Sequence, residues 1–290
     1  MLFCSILTFA ATINSIPIAS FNLHGFKSSS AYLKSCIDDH GGLWMGQELW
    51  LSEQQLPQLQ QLGSQFVASS GMEDAISNRI FPGRPFGGVC IAWSADLDQV
   101  VSPLSNFRHK RVVGVEFKTK EDDFLILCAY MPFFDGANRV RCMNETVDAF
   151  SMLETILENH PNHKVVIGGD FNTEMKGVSP FDRHWNELMS KFKLSCCDNQ
   201  FPSDSVTYKH ISLDQSKWND HFVVSNSLLI QDKLKKFAII DDGDNPSDHL
   251  PIIMALDAVA QKSSNSNDNT IPCETLKWSK LSDSLKTQIH

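Results

Sequence analysis

The chain has no apolar run approaching the roughly 20 residues that a membrane-spanning helix requires, and it carries no lysine or arginine before Lys27. Without that basic n-region, the apolar opening MLFCSILTFAAT is read as an N-terminal extension over 1–13 and not as a signal peptide. None of the eight cysteines stands in C-x-x-C spacing, so structural zinc of the ribbon kind is not expected. Nor do they form a disulfide framework. Cys196 and Cys197 are adjacent, and Cys90 and Cys128 fall inside apolar runs, where they read as small core hydrophobes. A reducing, intracellular setting, nuclear or cytoplasmic, is therefore expected in preference to secretion. Also missing are a nucleophilic-serine elbow, an H-E-x-x-H and any internal repeat. Gly87–Gly88 precede a strand, so they are not a phosphate-cradling loop before a helix.

The 290 residues are 42% hydrophobic and 20% charged, a globular composition long enough to bury a sizeable core. The formal charge of −9 speaks against a broad basic face for nucleic acid. It is compatible with a site made of carboxylates around a divalent cation.

Taken in order, Ile16–Asn22 reads as a strand, followed by a helix from a Ser28–Ser30 cap to about Asp39, stopped by Gly41–Gly42. Leu43–Gln47 is a strand that delivers Glu48, and Ser52–Leu62 is a short helix strained by Pro57. Ser69–Pro85 reads as a surface loop. Phe86–Trp93, Val112–Lys118 and Phe124–Tyr130 are strands. A helix from about Asn138 to Asn159 is expected to bury Val140, Met143, Val147, Phe150, Leu153 and Leu157. Lys164–Gly168 is a β-branched strand leading to Asp170 and Asn172, whose i, i+2 spacing would place both side chains on one side of an extended segment. A helix near Phe181–Phe192, a loop to Tyr208 and strands His221–Ser225, Phe237–Ile240 and Leu250–Leu256 complete the domain, 14–258. The polar run QKSSNSNDNT then opens a linker and tail, 259–290. Strands interrupted by helices, with antiparallel pairs between, indicate an α/β domain of two sheets flanked by helices.

Polar groups recur at the same place relative to these apolar runs: Asn22, Glu48, Tyr130, Asp170 with Asn172, Asp220, and Asp248 with His249. Each has a structural alternative. Asp170–Asn172 could be an Asx-type turn, Glu48 a surface acid, Tyr130 a core ring with a wet hydroxyl, and His249 a satisfied core histidine. Their repetition favours a shared site. Carboxylates, carboxamides, a phenol and a His–Asp pair are the groups that phosphodiester hydrolysis needs to hold a divalent metal, activate water and manage a proton.

The ordered set SFNLHGF, GQELW, FGGVCIAW, AYMPF, GGDFNTE, WNDHFVVS and SDHLPI resembles the endonuclease/exonuclease/phosphatase (DNase I-like) family, from about Ile16 to Leu256. The resemblance implies a four-layer α/β sandwich of two mixed, mostly antiparallel sheets flanked by helices. It implies Mg2+ as cofactor, with Mn2+ as the substitute. Metal ligands would be Glu48, Asn22 and Asp248. Asp170 would orient or activate the attacking water, and Asn172 and Tyr130 would bind the phosphate. His249 would contact the scissile phosphate, oriented by Asp220. Asn219 departs from the family pattern, in which an apolar residue precedes that aspartate.

Ser203–His210 resembles the substrate-facing loop of the nuclease branches, which adds Lys209 as a substrate contact. GQELWL and the tail LKWSKLSD resemble non-LTR retrotransposon endonucleases, ahead of a reverse transcriptase. The expected activity is metal-dependent nicking of DNA, leaving a 3′-hydroxyl, by a monomer without membrane contact. The alternatives are a phosphatase or phosphodiesterase on inositol phosphates or small substrates, and a non-catalytic copy that binds DNA or protein. Basic candidates for phosphate contacts are Arg79, Arg84, Arg108, Lys110, Arg111, Arg139, Arg141, Lys209 and Lys217.

Overall fold

A computed structural model describes residues 15–71, 86–134, 139–177, 179–202, 205–210 and 214–260. The N-terminal extension, most of the expected 69–85 loop with Arg79 and Arg84, and the tail carrying LKWSKLSD lie outside the described residues.

The chain runs β1 (Ser15–Asn22), α1 (Phe26–His40), β2 (Leu43–Gln47), a 3-10 helix (Glu53–Leu62), β3 (Gln65–Ser69) and β4 (Val89–Trp93). Next come β5 (Val101–Pro103), β6 (Val112–Lys118), β7 (Asp123–Ala129), α2 (Arg139–Asn159), β8 (Lys164–Asp170) and α3 (Pro180–Phe192). Last are β9 (Leu194–Cys196), β10 (Tyr208–His210), β11 (Gln215–Lys217), β12 (Asp220–Ser225), α4 (Asn226–Ile230), β13 (Leu234–Ile239) and β14 (Ile252–Asp257). One six-stranded sheet has the order β13-β14-β1-β2-β4-β3 and the other β5-β6-β7-β8-β12-β9. Each holds a single parallel pair, β1 with β2 and β7 with β8, and is otherwise antiparallel.

Three buried clusters make four layers. Alternate residues of both sheets, among them Ile18, Met45, Ile91, Val115, Ile126, Val166 and Phe222, fill the space between the sheets. The intervening residues point outward, as period-2 strands require. Ala19, Phe21, Trp44 and Ala92 pack under α1 and the 3-10 helix through Leu33, Ile37 and Leu59. Leu125, Leu127, Val165 and Ile167 pack under α2 and α3 through Phe150, Leu153 and Trp185. Among the described residues no helix is long and apolar enough to cross a membrane.

Several local expectations need correction. Helix α1 starts at Phe26, with Gly25 (φ 102°) as its N-cap, and Ser28 does not cap it. The turn is held instead by backbone bonds from Gly25 N–H to Glu48 O and Phe26 N–H to Leu49 O, and Ser28 Oγ donates back to Gly25 O at 2.8 Å. Pro57 is tolerated because its segment is a 3-10 helix, where Leu56, Leu59 and Leu62 recur every third residue on one buried face. Helix α2 buries Cys142, Thr146, Ala149 and Phe150, while Val140 is 75% and Val147 48% exposed. The first turns are rotated by Glu145, which reaches Arg111 beside the sheet, and Thr146 becomes buriable by donating its hydroxyl to Cys142 O. Strands β3, β5, β9, within the expected loop, and the hairpin β10–β11 were not anticipated: they are short, and β11 is exposed throughout, so they carry little alternation. Val259 and Ala260, within the expected linker, still pair with Lys120 and Thr119.

Candidate active site

Topology brings the polar groups to one edge. Strands β1 and β2 run parallel, and so do β7 and β8. Strands β14 and β12 run antiparallel to β1 and β8, so they begin where those strands end. Asn22, Glu48, Tyr130 and Asp170 leave the ends of β1, β2, β7 and β8, and Asp220 and His249 stand at or just before the starts of β12 and β14. In register, Asp220 faces Asp170 directly. Gly169 sets the last step of β8. At φ 155° it passes so close to Ala129 O that a Cβ would lie 1.7 Å from it.

Asn22 sits between two carboxylates. Its Nδ2 donates to Glu48 Oε1 at 3.1 Å and to Asp170 Oδ2 at 2.9 Å, while its Oδ1 accepts from His24 N–H. Glu48 adopts φ 52° just past its strand and accepts from Tyr130 Oη at 2.9 Å and from Trp50 Nε1 at 3.1 Å. Asp170 Oδ1 accepts from Asn172 N–H at 2.9 Å, closing an Asx turn in which Asn172 takes φ 51°. The Asx-turn reading is borne out, and the same turn leaves Asp170 Oδ2 beside Asn22 Nδ2. The extended i, i+2 geometry is not: the strand ends at Asp170, and Asn172 turns its Nδ2 to Met131 O at 2.9 Å. Phe171, fully buried and stacked on Trp185 at 3.9 Å between ring centres, pins this loop to the core. Burial of such a ring contributes about 1.5–3 kcal/mol.

His249 Nδ1 lies 2.8 Å from Asp220 Oδ2, and its Nε2 is 3.8 Å from Asp170 Oδ2. Ser247 fixes the approach, donating Oγ–H to Asn22 O at 2.7 Å and accepting His249 N–H at 3.1 Å. Burial alone would lower the His249 pKa, but the Asp220 and Asp170 carboxylates push it up to about 10. Asp170 is pushed up to about 7, first by burial and then by Asp220 and Glu48, against the pull of His249. Tyr130 is held well above the ordinary phenol value, first by burial and then by Glu48 and Asp170, and stays a neutral donor.

Asp248 lies at the rim, 2.8 Å from His24 Nδ1, and burial, which would raise its pKa, is outweighed by His24 and His249. Lys209 is outside the cluster: it is on the hairpin, with Nζ 3.0 Å from Asp241. Lys110, Arg111 and Arg141 converge on Glu145, which leaves positive charge beside Tyr130; Arg111 also donates to Tyr130 O and lies over its ring at 5.2 Å. Asn219 keeps its place through backbone bonds, donating N–H to Thr207 Oγ1 and accepting from Phe171 N–H. Sequence reading missed His24, Trp50 and Thr207. The first two stand two residues beyond Asn22 and Glu48, an offset at which a turn can fold back on its strand end.

The donor set of the edge is oxygen-rich and carries more acid than base, and Asp170 is raised first by burial and then by its acidic neighbours. Hard divalent cations suit such donors. Of these residues Glu48 could hold such an ion through its carboxylate, whereas Asn22 directs its amide hydrogens to the carboxylates. A second group, Cys196, Asp198 and His221, clusters ligand atoms behind this edge.

The fold is the DNase I-like α/β sandwich. No family model matches the sequence, and no curated protein matches it. Among solved structures, the endonuclease domain of TRAS1, a telomere-specific non-LTR retrotransposon, superposes with TM-score 0.59 at 15% identity, over 83% of this chain and 98% of its own. The 3′ phosphatase NExo from Neisseria, bound to product DNA hairpin, superposes with TM-score 0.62 at 17% identity, over 83% of this chain and 99% of its own. NExo from Neisseria meningitidis, described as a 3′-5′ exonuclease, gives TM-score 0.60 at 18% identity over 83% and 100%.

Proposed function

We propose that the chain is a divalent-metal-dependent phosphodiester hydrolase of the endonuclease/exonuclease/phosphatase kind, acting on DNA, and in its finer form an endonuclease of retrotransposon type that nicks DNA. One observation carries the reading. Two carboxylates, Glu48 and Asp170, share the amide of Asn22, and an Asp220–His249 pair stands across from Asp170.

Mg2+ or Mn2+, held by Glu48 with Asp248 and Asn22 as the further candidates, would polarise a phosphoryl oxygen and acidify a water. Asp170, with Oδ1 anchored by Asn172, has Oδ2 to take a proton from the attacking water. His249, held protonated by its carboxylate neighbours, offers Nε2–H to charge developing on the phosphate. Asp220 fixes the ring's orientation, and Tyr130 and Trp50 fix Glu48. The basic group around Glu145 supports contact with flanking phosphates. DNA as substrate is supported by the likeness to a 3′ phosphatase bound to a product DNA hairpin, and the retrotransposon reading by the likeness to the TRAS1 endonuclease domain together with the tail motif.

The test is nicking of supercoiled plasmid by the purified protein with Mg2+, with EDTA and with Asp170→Ala, alongside a DNA hairpin bearing a 3′-phosphate. Relaxation that needs metal and Asp170 supports the endonuclease. Release of phosphate from the hairpin without relaxation moves the reading to a 3′-end phosphatase. Neither reaction, in a folded protein that binds Mg2+, defeats the DNA reading and leaves small phosphodiesters or a non-catalytic role.

A further inference from the structure

His221 follows Asp220 in β12, yet its side chain faces away from the Asp220–His249 pair and is fully buried. Its Nε2 lies 2.7 Å from Thr173 O, and since a carbonyl only accepts, Nε2 carries a hydrogen. The other ring nitrogen, Nδ1, faces both oxygens of Asp198 at 3.0 and 2.9 Å and Cys196 Sγ at 4.0 Å. A neutral ring in this tautomer would aim a lone pair at a carboxylate. That arrangement is stable only with a proton or a cation between them.

A histidine whose far nitrogen donates to a backbone carbonyl has the usual preparation for ligating metal through the near one. Thiolate, imidazole and one carboxylate are ligands that zinc accepts. In a tetrahedral site the ligand separations would be about 3.3 Å for nitrogen to oxygen and about 3.5 Å for nitrogen to sulfur, from ordinary zinc–ligand lengths. The observed 2.9 and 4.0 Å each differ by about half an ångström or less. Cys196 and Asp198 are partly exposed, so water has access to a fourth position.

We propose that Cys196, Asp198 and His221 form a second metal site, for a thiophilic divalent cation such as zinc, separate from the carboxylate edge. Binding displaces the proton on His221 Nδ1 and the Cys196 thiol proton, so two protons are released to solvent for each ion bound. The site joins β9, the turn after it and β12, and through Thr173 O it reaches the loop that follows Asp170. His221 also stacks on Phe171, at 5.2 Å between ring centres. The role of the ion is structural: it fixes the support under Asp170 and Asp220.

The test uses the reduced, chelator-treated full chain, titrated with Co2+ and followed by near-ultraviolet absorption. One equivalent should give a thiolate-to-cobalt charge-transfer band that excess Mg2+ leaves unchanged and one equivalent of Zn2+ removes. Cys196→Ser should abolish the band. Asp198→Asn should keep the band but weaken binding by more than about tenfold, as loss of an orienting or ligating carboxylate does. Near-ultraviolet circular dichroism checks that each variant is folded. A folded wild-type chain that gives no band would overturn the proposal and leave a buried imidazolium–carboxylate pair. A band that survives Cys196→Ser would assign the metal to other thiols. Neither readout depends on nuclease activity, so this proposal and the functional one fail independently.

Discussion

The Nδ1 of His249 lies 2.8 Å from Asp220 Oδ2, and both side chains are buried. Among the described residues Asp220 Oδ1 has no hydrogen-bond partner, and Oδ2 serves the histidine. Such a pairing orients the ring and stabilises its charged form, as in other His–Asp pairs. Asp220→Asn keeps the shape but loses the charge. We expect kcat to fall by about 10²–10⁴-fold, the range of a positioned acid or base, with little change in KM. A loss of only a few-fold would make the pair a purely structural contact.

Tyr130 donates its hydroxyl to Glu48 Oε1 at 2.9 Å. That bond competes with the expected role of holding a phosphate oxygen, and it predicts a particular phenotype. Tyr130→Phe leaves the ring in place, so stability should change by about 1 kcal/mol or less. The Mg2+ concentration for half-maximal nicking should rise about 10–100-fold, as when a ligand loses its supporting donor. If nicking at saturating Mg2+ collapses while metal dependence is unchanged, the hydroxyl acts on the phosphate instead.

Gly169→Ala should be among the most damaging small substitutions in the domain. The added Cβ would meet Ala129 O at 1.7 Å, and the residue sits at φ 155°. Overpacking of this kind costs about 1–3 kcal/mol, with backbone strain added, and it displaces Asp170 next door. Gly177→Ala is the control. It too has positive φ, but among the described residues a Cβ there meets nothing within 4 Å, so only strain of about 1 kcal/mol remains. Urea denaturation of the two variants should separate them clearly; equal losses would mean that the close approach at Gly169 is not what matters.

Residues such as Ile18, Ile126 and Ile167 announced their strands because β-branched, alternating runs have few other solutions. Strand ends were legible for the same reason, and with them Asn22, Glu48, Asp170, Asp220 and His249. What was not legible depended on contacts distant in sequence. The rotation of α2 is set by Glu145 meeting Arg111, thirty-four positions earlier. His24 gains meaning only beside Asp248, and the Cys196–Asp198–His221 group exists only because β9 pairs with β12. Lys209, which the resemblance gave as a substrate contact, stands on the hairpin with its Nζ 3.0 Å from Asp241.

The crowding of acids makes the metal-free edge sensitive to pH in a defined direction. His249 rises from an ordinary 6.5 to about 10, because Asp220 and Asp170 outweigh the burial that opposes it. Asp170 rises from 3.8 to about 7, through burial first and then its acidic neighbours. Both folded values lie above the unfolded ones, so the native state binds more protons and loses stability as pH increases. The Asp170 part is lost as pH climbs from about 4 through 7, and the His249 part is full below about 6.5 and lost on passing up through about 10. A cation at the carboxylates favours their charged form, against the burial and the neighbouring acids that raise Asp170, and so offsets that part. The melting temperature without metal should therefore fall from about pH 6 to about pH 9, and the increase produced by Mg2+ should widen over the same range. A melting temperature that Mg2+ leaves unchanged at every pH would show that these carboxylates do not hold the ion.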